Sequence, residues 1–335
     1  MSIILAQTII EDKNVAIDQN NEAEINVTGI KKYFGEIKAV DGVDLRVKKG
    51  ELFGHLGPNG AGKSTIIRML TTILTPDAGD ARIVGLDLRK QRAEIRKFLG
   101  VCPQEIVIAE TLNAKENVTF VGQMYGIPTP LAKQTATRLL SQLGIAGCKD
   151  RSKNLSGGMK RRLNLAMALV HKPRIIFLDE PTAGLDPQTR RLVWDFIRDL
   201  KNTGSTIILT THDMVEADAL SDRIAIIDQG KIIALGTPQV LKEQFGTGNI
   251  LEIQLLHKED LDLIKEKLRT LSFITKVTDA SDQRLLISFA GGLKNFATIL
   301  QRGILDHINE VENISFRQNT LEDVFLHLTG RRLRE

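Results

Sequence analysis

Residues 57–65 read Gly57-Pro58-Asn59-Gly60-Ala61-Gly62-Lys63-Ser64-Thr65, and their types and spacing suit the holding of a phosphate chain. Glycines let the backbone curl until successive N–H groups face the β- and γ-phosphates. Lys63 supplies positive charge to those oxygens, and the Ser64 hydroxyl is of the kind that binds Mg2+. The flanks agree with this P-loop reading. "ELFGHL" leads into the loop as a strand, and Ile66, Met69, Leu70, Ile73 and Leu74 follow at helical spacing, so a strand–loop–helix unit is expected.

A second anion site stands far along the chain. "LSGGMKRRLNLAMALV" (Leu155–Val170) puts Ser156, Gly157 and Gly158 at the opening of an amphipathic helix. There the exposed N–H groups and the positive end of the helix dipole point the same way. "RIIFLDEP" then reads as a strand ending in two acids. Asp179 is placed to hold Mg2+, directly or through water, and Glu180 to align or deprotonate an attacking water. Two acids after a strand also fit a solvated loop; the neighbouring P-loop favours the chemical reading. His212, closing "STIILTTH", and Gln104, in "VCPQ", decide little alone, since a lone histidine is more often structural.

The elements that must position these residues alternate between strand and helix. "INVTGI" and "VDLRV" begin the strands, with Val43, Leu45 and Val47 alternating with charged neighbours. "RIIFLDEP" and "STIILTTH" are continuous apolar runs suited to central parallel strands. The helix between them is expected to bury Leu192, Phe196, Ile197 and Leu200, and "RIAIIDQGKIIALG" reads as two strands joined at Gln229-Gly230. Thr237-Pro238 supplies an N-cap and a first-turn proline for a helix ending near Phe245. An α/β domain is therefore expected over about residues 25–246, after a polar, aperiodic extension at 1–24. Beyond the "FGTGN" linker, residues 247–335 read as a small α+β accessory domain of β-α-β-β-α-β order plus a last helix at 320–328, the ferredoxin-like arrangement. No catalytic constellation occurs there, so a binding, regulatory or dimerising role is expected.

Composition narrows the class. The 335 residues are 42% hydrophobic and 26% charged with net charge +4, an ordinary globular balance too mild for a nucleic-acid protein. Cys102 and Cys148 lack metal-ligand spacing and fit a reducing compartment. No apolar run reaches bilayer-spanning length, and "MSIILAQTII" lacks a basic leader and a cleavage site, so any membrane crossing is assigned to another chain.

Taken in order, the motifs resemble the ATP-binding-cassette (ABC) ATPase family over residues 25 to about 245. They are "GPNGAGKST" (Walker A), Gln104 (Q-loop), "LSGGMKRR" (signature), "IIFLDE" (Walker B), "AGLDP" (D-loop, with Asp186) and His212 (H-loop). The resemblance implies a P-loop NTPase core with an inserted helical subdomain at about 106–160. It implies that Gln104 contacts the metal and the attacking water, that His212 contacts the γ-phosphate, and that Asp186 lies at the shared nucleotide. An aromatic ring stacking on adenine is implied at "YFG", where Phe34 takes the usual place and Tyr33 is its neighbour. In this family two ATPase domains pair head to tail, each ATP lying between one P-loop and the other subunit's signature helix. Ser156, Gly157 and Gly158 are then built for a second copy's nucleotide. Met159 departs from the commoner glutamine of the signature, which touches the contacts to ribose or partner. The ending "NTLEDVFLHLTGRRLRE" after a small α/β domain is similar to daunorubicin-resistance-type ATPases of drug exporters. That likeness implies ATP and Mg2+ as cofactors, a separately encoded ABC-2-type permease as partner, and a place on the cytoplasmic face of the membrane. The alternative, a soluble ABC ATPase acting on nucleic acid or ribosomes, would need coiled-coil arms, zinc modules or two cassettes in one chain, and the sequence has none.

Overall fold

The computed structural model describes residues 23–148, 150–245, 248–256, 260–281, 283–289, 291, 293–305 and 311–330. The expected N-terminal extension and the basic end of "GRRLRE" lie outside these residues, the extension up to residue 22 and the end from 331. Strands β1 (Ala23–Phe34) and β2 (Ile37–Lys48) form an antiparallel hairpin, and β2 buries Val43, Leu45 and Val47 while its charged neighbours face out. Next come β3 (Leu52–Leu56), the loop and α1 (Lys63–Leu70), then β4 (Ala78–Ile83), β5 (Leu86–Asp87), α2 (Arg92–Arg96) and β6 (Leu99–Cys102). An α-helical hairpin, α3 (Ala114–Met124) and α4 (Thr129–Gln142), stands where the helical subdomain is expected. Its first helix starts on a capping box between Asn113 and Glu116.

The chemistry-bearing half continues with α5 (Gly157–Leu169), β7 (Ile175–Asp179), α6 (Pro187–Asn202), β8 (Thr206–Thr211), α7 (Met214–Leu220), β9 (Arg223–Asp228), β10 (Lys231–Gly236) and α8 (Pro238–Phe245). The central sheet runs β10-β9-β3-β8-β7-β6, parallel apart from the β9–β10 hairpin. β3, β7 and β8 are buried at every position, as a sheet covered on both faces requires. One face packs on α1 and the β2-β1-β4-β5 sheet through residues such as Phe53, Ile66 and Phe177. The other packs on α5, α6 and the helical hairpin through Leu163, Leu178 and Phe196.

Two helices differ in detail from the sequence reading. α1 stops at Leu70, and Ile73 is 68% exposed. Thr72 takes a left-handed φ of 64° just past the helix, and the N–H groups of Ile73 and Leu74 both turn back to the Arg68 carbonyl. On α6 the buried stripe is Val193, Phe196 and Ile197, with Leu192 and Leu200 at its partly buried edges.

The last region holds β11 (Asn249–Leu255), α9 (Asp260–Arg269), β12 (Ile274–Ser281), β13 (Arg284–Phe289), α10 (Leu293–Ile299, continued by a π-helical turn to Ile304), β14 (Val311–Arg317) and α11 (Leu321–Thr329). Its strands order β12-β13-β11-β14, all antiparallel, which is the ferredoxin-like sheet. α11 turns away from that sheet. Its Leu321, Val324 and Phe325 are buried with Leu56, Ala217, Ile224 and Leu241 of the nucleotide-binding core.

Candidate active site

β3, β8, β7 and β6 are neighbours in the sheet and point the same way, so their carboxyl ends form one edge. Leading from those ends are the P-loop, His212, the Asp179-Glu180 pair and Gln104. Parallel α/β sheets bind ligands at that edge. A cavity of about 770 Å³ opens there, lined by Asn59, Gly60, Gly62, Lys63, Ser64, Thr65, Gln104 and Glu180, together with Glu36, Ile37, Lys38, Ala39, Asp41, Gln229 and Lys231.

The P-loop is shaped by close packing against its neighbours. A Cβ on Gly57 would strike the Ile227 carbonyl oxygen, and one on Gly62 would strike that of Ala39. Gly62 also has φ of 107°, so no other residue fits there without strain. Pro58 accepts the Ala61 N–H at 3.2 Å, and Ala61, 3% exposed, locks the turn into the core. Lys63 is buried, its ammonium donating to the carbonyls of Gly57 at 2.6 Å and Pro58 at 2.9 Å. Burial lowers its pKa, and the carboxylates of Glu180 and Asp179 oppose that shift.

Asp179 and Glu180 separate into two roles. The Ser64 hydroxyl donates to Asp179 Oδ1 at 3.2 Å, and the Thr210 hydroxyl donates to the same oxygen. Glu180 turns the other way: His212 Nδ1 lies 2.9 Å from its Oε1, and Gln104 Nε2 donates to its Oε2 at 3.3 Å. Its backbone has φ of 50°, left-handed for a residue with a side chain, at a cost of about 1–3 kcal/mol. Strain of that kind is held where the chain must aim a side chain away from its natural course.

The signature residues sit elsewhere. Ser156 caps α5, its Oγ accepting the Met159 N–H at 3.3 Å. Ser156 and Gly157 are exposed, and none of Ser156, Gly157 and Gly158 lines the P-loop cavity. Asp186 caps α6 by accepting the N–H groups of Gln188 and Thr189, and hydrogen bonding, from the Thr189 side chain first and then from these N–H groups, holds its carboxyl below its ordinary pKa. It too stands outside the cavity lining. The aromatic pair is also off the lining. Tyr33 donates its hydroxyl to Asp41 Oδ1 at 2.7 Å, and Phe34 is 49% exposed with the Lys32 ammonium 5.6 Å from its ring centre. Aliphatic Ile37 and Ala39 face the cavity there instead.

Three supporting residues escaped the sequence reading. Arg161 of α5 donates to the carbonyls of Pro103 at 2.9 Å and Gln104 at 2.7 Å, tying the signature helix to the Gln104 loop. Asn164, one turn on, reaches the Pro103 and Glu105 carbonyls at 3.4 Å. Glu216 is buried behind the Glu180 loop. In sequence each looks like an ordinary helix residue, because its partners lie on other elements. Cys102 is buried beside Asn164, and burial pushes its thiol up to about 12, which suits an inert filler.

Comparison with known proteins follows the same geometry. The family description "ABC transporter" matches residues 40–183, and a description of an AAA domain, "putative AbiEii toxin, Type IV TA system", matches residues 151–218. The chain is 39% identical to the linearmycin resistance ATP-binding protein LnrL of Bacillus subtilis (strain 168), over 93% of this chain and 100% of that protein. It is 40% identical to the daunorubicin/doxorubicin resistance ATP-binding protein DrrA of Streptomyces peucetius, over 91% of this chain and 92% of that one. Among solved structures, a dimer of the ATP-binding cassette MJ0796 in a post-hydrolysis state bound to ADP and Pi superposes with TM-score 0.60 at 25% identity. That match covers 64% of this chain and 98% of the other.

Proposed function

The chain belongs to the ATP-binding subunits of the ABC transporter family, an ATPase of the drug-resistance exporter type, and from that premise we propose how it works and with whom. The observation that carries the reading is the convergence of Lys63, Asp179, Glu180, Gln104 and His212 on one sheet edge, with Ser156–Gly158 facing outward elsewhere. ATP enters the cavity with its phosphates in the P-loop, and its β- and γ-oxygens replace the Gly57 and Pro58 carbonyls as partners of Lys63. The adenine lies toward the β1–β2 turn, between Phe34 and the Ile37 side.

Mg2+ fits the donor set. Ser64 Oγ and Asp179 Oδ1 are 3.2 Å apart, and two protein oxygens are what this ion takes when phosphates and water complete its shell. When bound, it would offset the negative charge of the phosphates. Glu180 takes the proton of the attacking water, and His212 and Gln104 hold its two oxygens so that the free lone pairs face the γ-phosphate.

A second copy completes the site, its Ser156 hydroxyl and the N–H groups of Gly157 and Gly158 meeting the γ-phosphate from the far side. Asp186 lies at the same seam. The closing and opening of this pair drives a separately encoded ABC-2-type permease from the cytoplasmic face, exporting a drug-like or lipid-linked compound. No helix among the described residues is long and apolar enough to cross a membrane. Full-length similarity to drug-resistance subunits disfavours the nucleic-acid or ribosome alternative. The test is purification from cells at native level: a multi-spanning membrane protein should accompany the chain, and recovery with ribosomes or DNA instead would overturn the exporter reading.

A further inference from the structure

We propose that Glu216 is a positioning residue for this reaction, the anchor that holds the Glu180 loop and the His212 loop in one register. The proposal rests on the ATPase reading above. Glu216 lies in the first turn of α7, one helical turn beyond His212, and is 1% exposed. Its Oε1 accepts from Thr182 Oγ1 at 2.7 Å and from Trp194 Nε1 at 3.0 Å, and its own N–H donates to Asp213 Oδ1 at 3.2 Å. The three partners come from three segments. Thr182 belongs to the loop just after Glu180, Asp213 directly follows His212, and Trp194 is on α6.

The left-handed backbone at Glu180 persists only if its surroundings over-determine it. From the sheet side its N–H is held by the Thr210 carbonyl at 3.0 Å. On the far side Ala183 N–H donates to the Glu180 carbonyl at 3.2 Å, and Thr182, between them, is tied to Glu216. Glu216 therefore spans both walls of the 2.9 Å contact between His212 and Glu180, its carboxylate holding Thr182 on one side and its N–H held by Asp213 on the other. A rearrangement at either wall moves the base relative to the histidine, and small misplacements of reacting groups are costly in rate. Burial raises the pKa of Glu216, and the hydrogen bonds it accepts oppose the rise.

Trp194 is the only tryptophan in the chain, so its emission reads the anchor without any chemistry. The test uses the full chain with Mg–ATP and compares wild type, Glu180→Gln, Thr182→Val, Glu216→Gln and the Thr182→Val/Glu216→Gln double variant. Thr182→Val keeps shape and loses the donor; Glu216→Gln keeps size and replaces the charged acceptor facing Thr182 and Trp194 with a weaker neutral one. Thr182→Val is expected to lower kcat about tenfold or more while KM stays within about twofold. The double variant should be no slower than Thr182→Val, since both changes act through one hydrogen bond. Glu216→Gln should shift Trp194 emission before nucleotide is added. An unchanged kcat in Thr182→Val, or a kcat loss matched by the KM rise, with Glu180→Gln still inactive, overturns the anchor and leaves the ATPase reading standing. Wild-type turnover by Glu180→Gln overturns both.

Discussion

Glu180 combines two features that ordinary loop acids lack: a left-handed backbone, and a partner on each carboxylate oxygen. The side chain is thereby aimed at the P-loop cavity instead of at solvent. Glu180→Gln preserves size and removes only the proton-accepting charge, so turnover should fall by about 10²–10⁴-fold while ATP still binds. Single-turnover hydrolysis against nucleotide-binding titration separates the two, and normal turnover would remove Glu180 from the role of base. His55, in the strand feeding the P-loop, makes the opposite case. It is fully buried, edge-on to Phe53 at 5.4 Å, and among the described residues neither ring nitrogen has a partner. Burial, helped by the charge of Lys63, lowers its pKa from 6.5 to about 3. The folded chain thus keeps the ring neutral while the unfolded chain takes up a proton below pH 6.5, so stability drains away as pH falls from 6.5 toward 3. The drain is about 1.4 kcal/mol per pH unit for this one group. His55→Leu should flatten that acid limb, raising stability at pH 5 relative to wild type by more than it does at pH 7. Denaturant midpoints at the two pH values check it.

At the scale of elements, legibility in the sequence divides along a physical line. The P-loop, the signature start and the paired acids were readable because each motif does its work with consecutive residues. The strand–helix alternation was readable because burial repeats with the period of its element. Arg161, Asn164 and Glu216 were not, since what they do is decided by carbonyls and hydroxyls on distant segments. The last helix is the same lesson in packing. Its apolar stripe predicts burial and says nothing of the partner; the sequence reading grouped it with the C-terminal sheet, whereas α11 buries Leu321, Val324 and Phe325 against the nucleotide-binding core. The Arg317–Asp323 pair braces its start, with Asp323 also closing a capping box on Thr320. Phe325→Ala should therefore cost about 3–5 kcal/mol, as a large aromatic leaving a packed core does. The loss should appear in the unfolding of the core around Leu56 and Ile224. Hydrogen exchange in β3 and β9 is the measurement; unchanged protection there would mean the helix merely rests on the surface.

For the molecule as a whole, the decisive fact is that the P-loop cavity and the signature residues are separate within one copy. The P-loop cavity is lined without Ser156, Gly157 or Gly158, and a Cβ on Gly157 would touch nothing within 4 Å. Packing within the chain thus leaves the space over Gly157 open, as the proposed approach of a second copy's nucleotide requires. In the proposed function, two copies joined head to tail would supply the missing half of each site, with nucleotide as the link between them. Moving such a pair from 1:99 to 99:1 closed needs roughly 5.5 kcal/mol of differential binding. A few charge-assisted hydrogen bonds to each γ-phosphate, at about 1.5–3 kcal/mol apiece, reach that figure, and hydrolysis withdraws them. Two individually dead variants test the arrangement. Lys63→Ala ruins a subunit's own P-loop, and Ser156→Arg fills the groove meant for its partner's phosphate, so each alone should hydrolyse almost nothing. Mixed together, the pair regains one whole site: the intact P-loop of the Ser156→Arg subunit against the intact signature of the Lys63→Ala subunit. Turnover should reappear on mixing and rise with the fraction of mixed dimers. If the sites were instead completed within a single chain, both variants would stay dead in any proportion, and the shared-nucleotide account would fall with them.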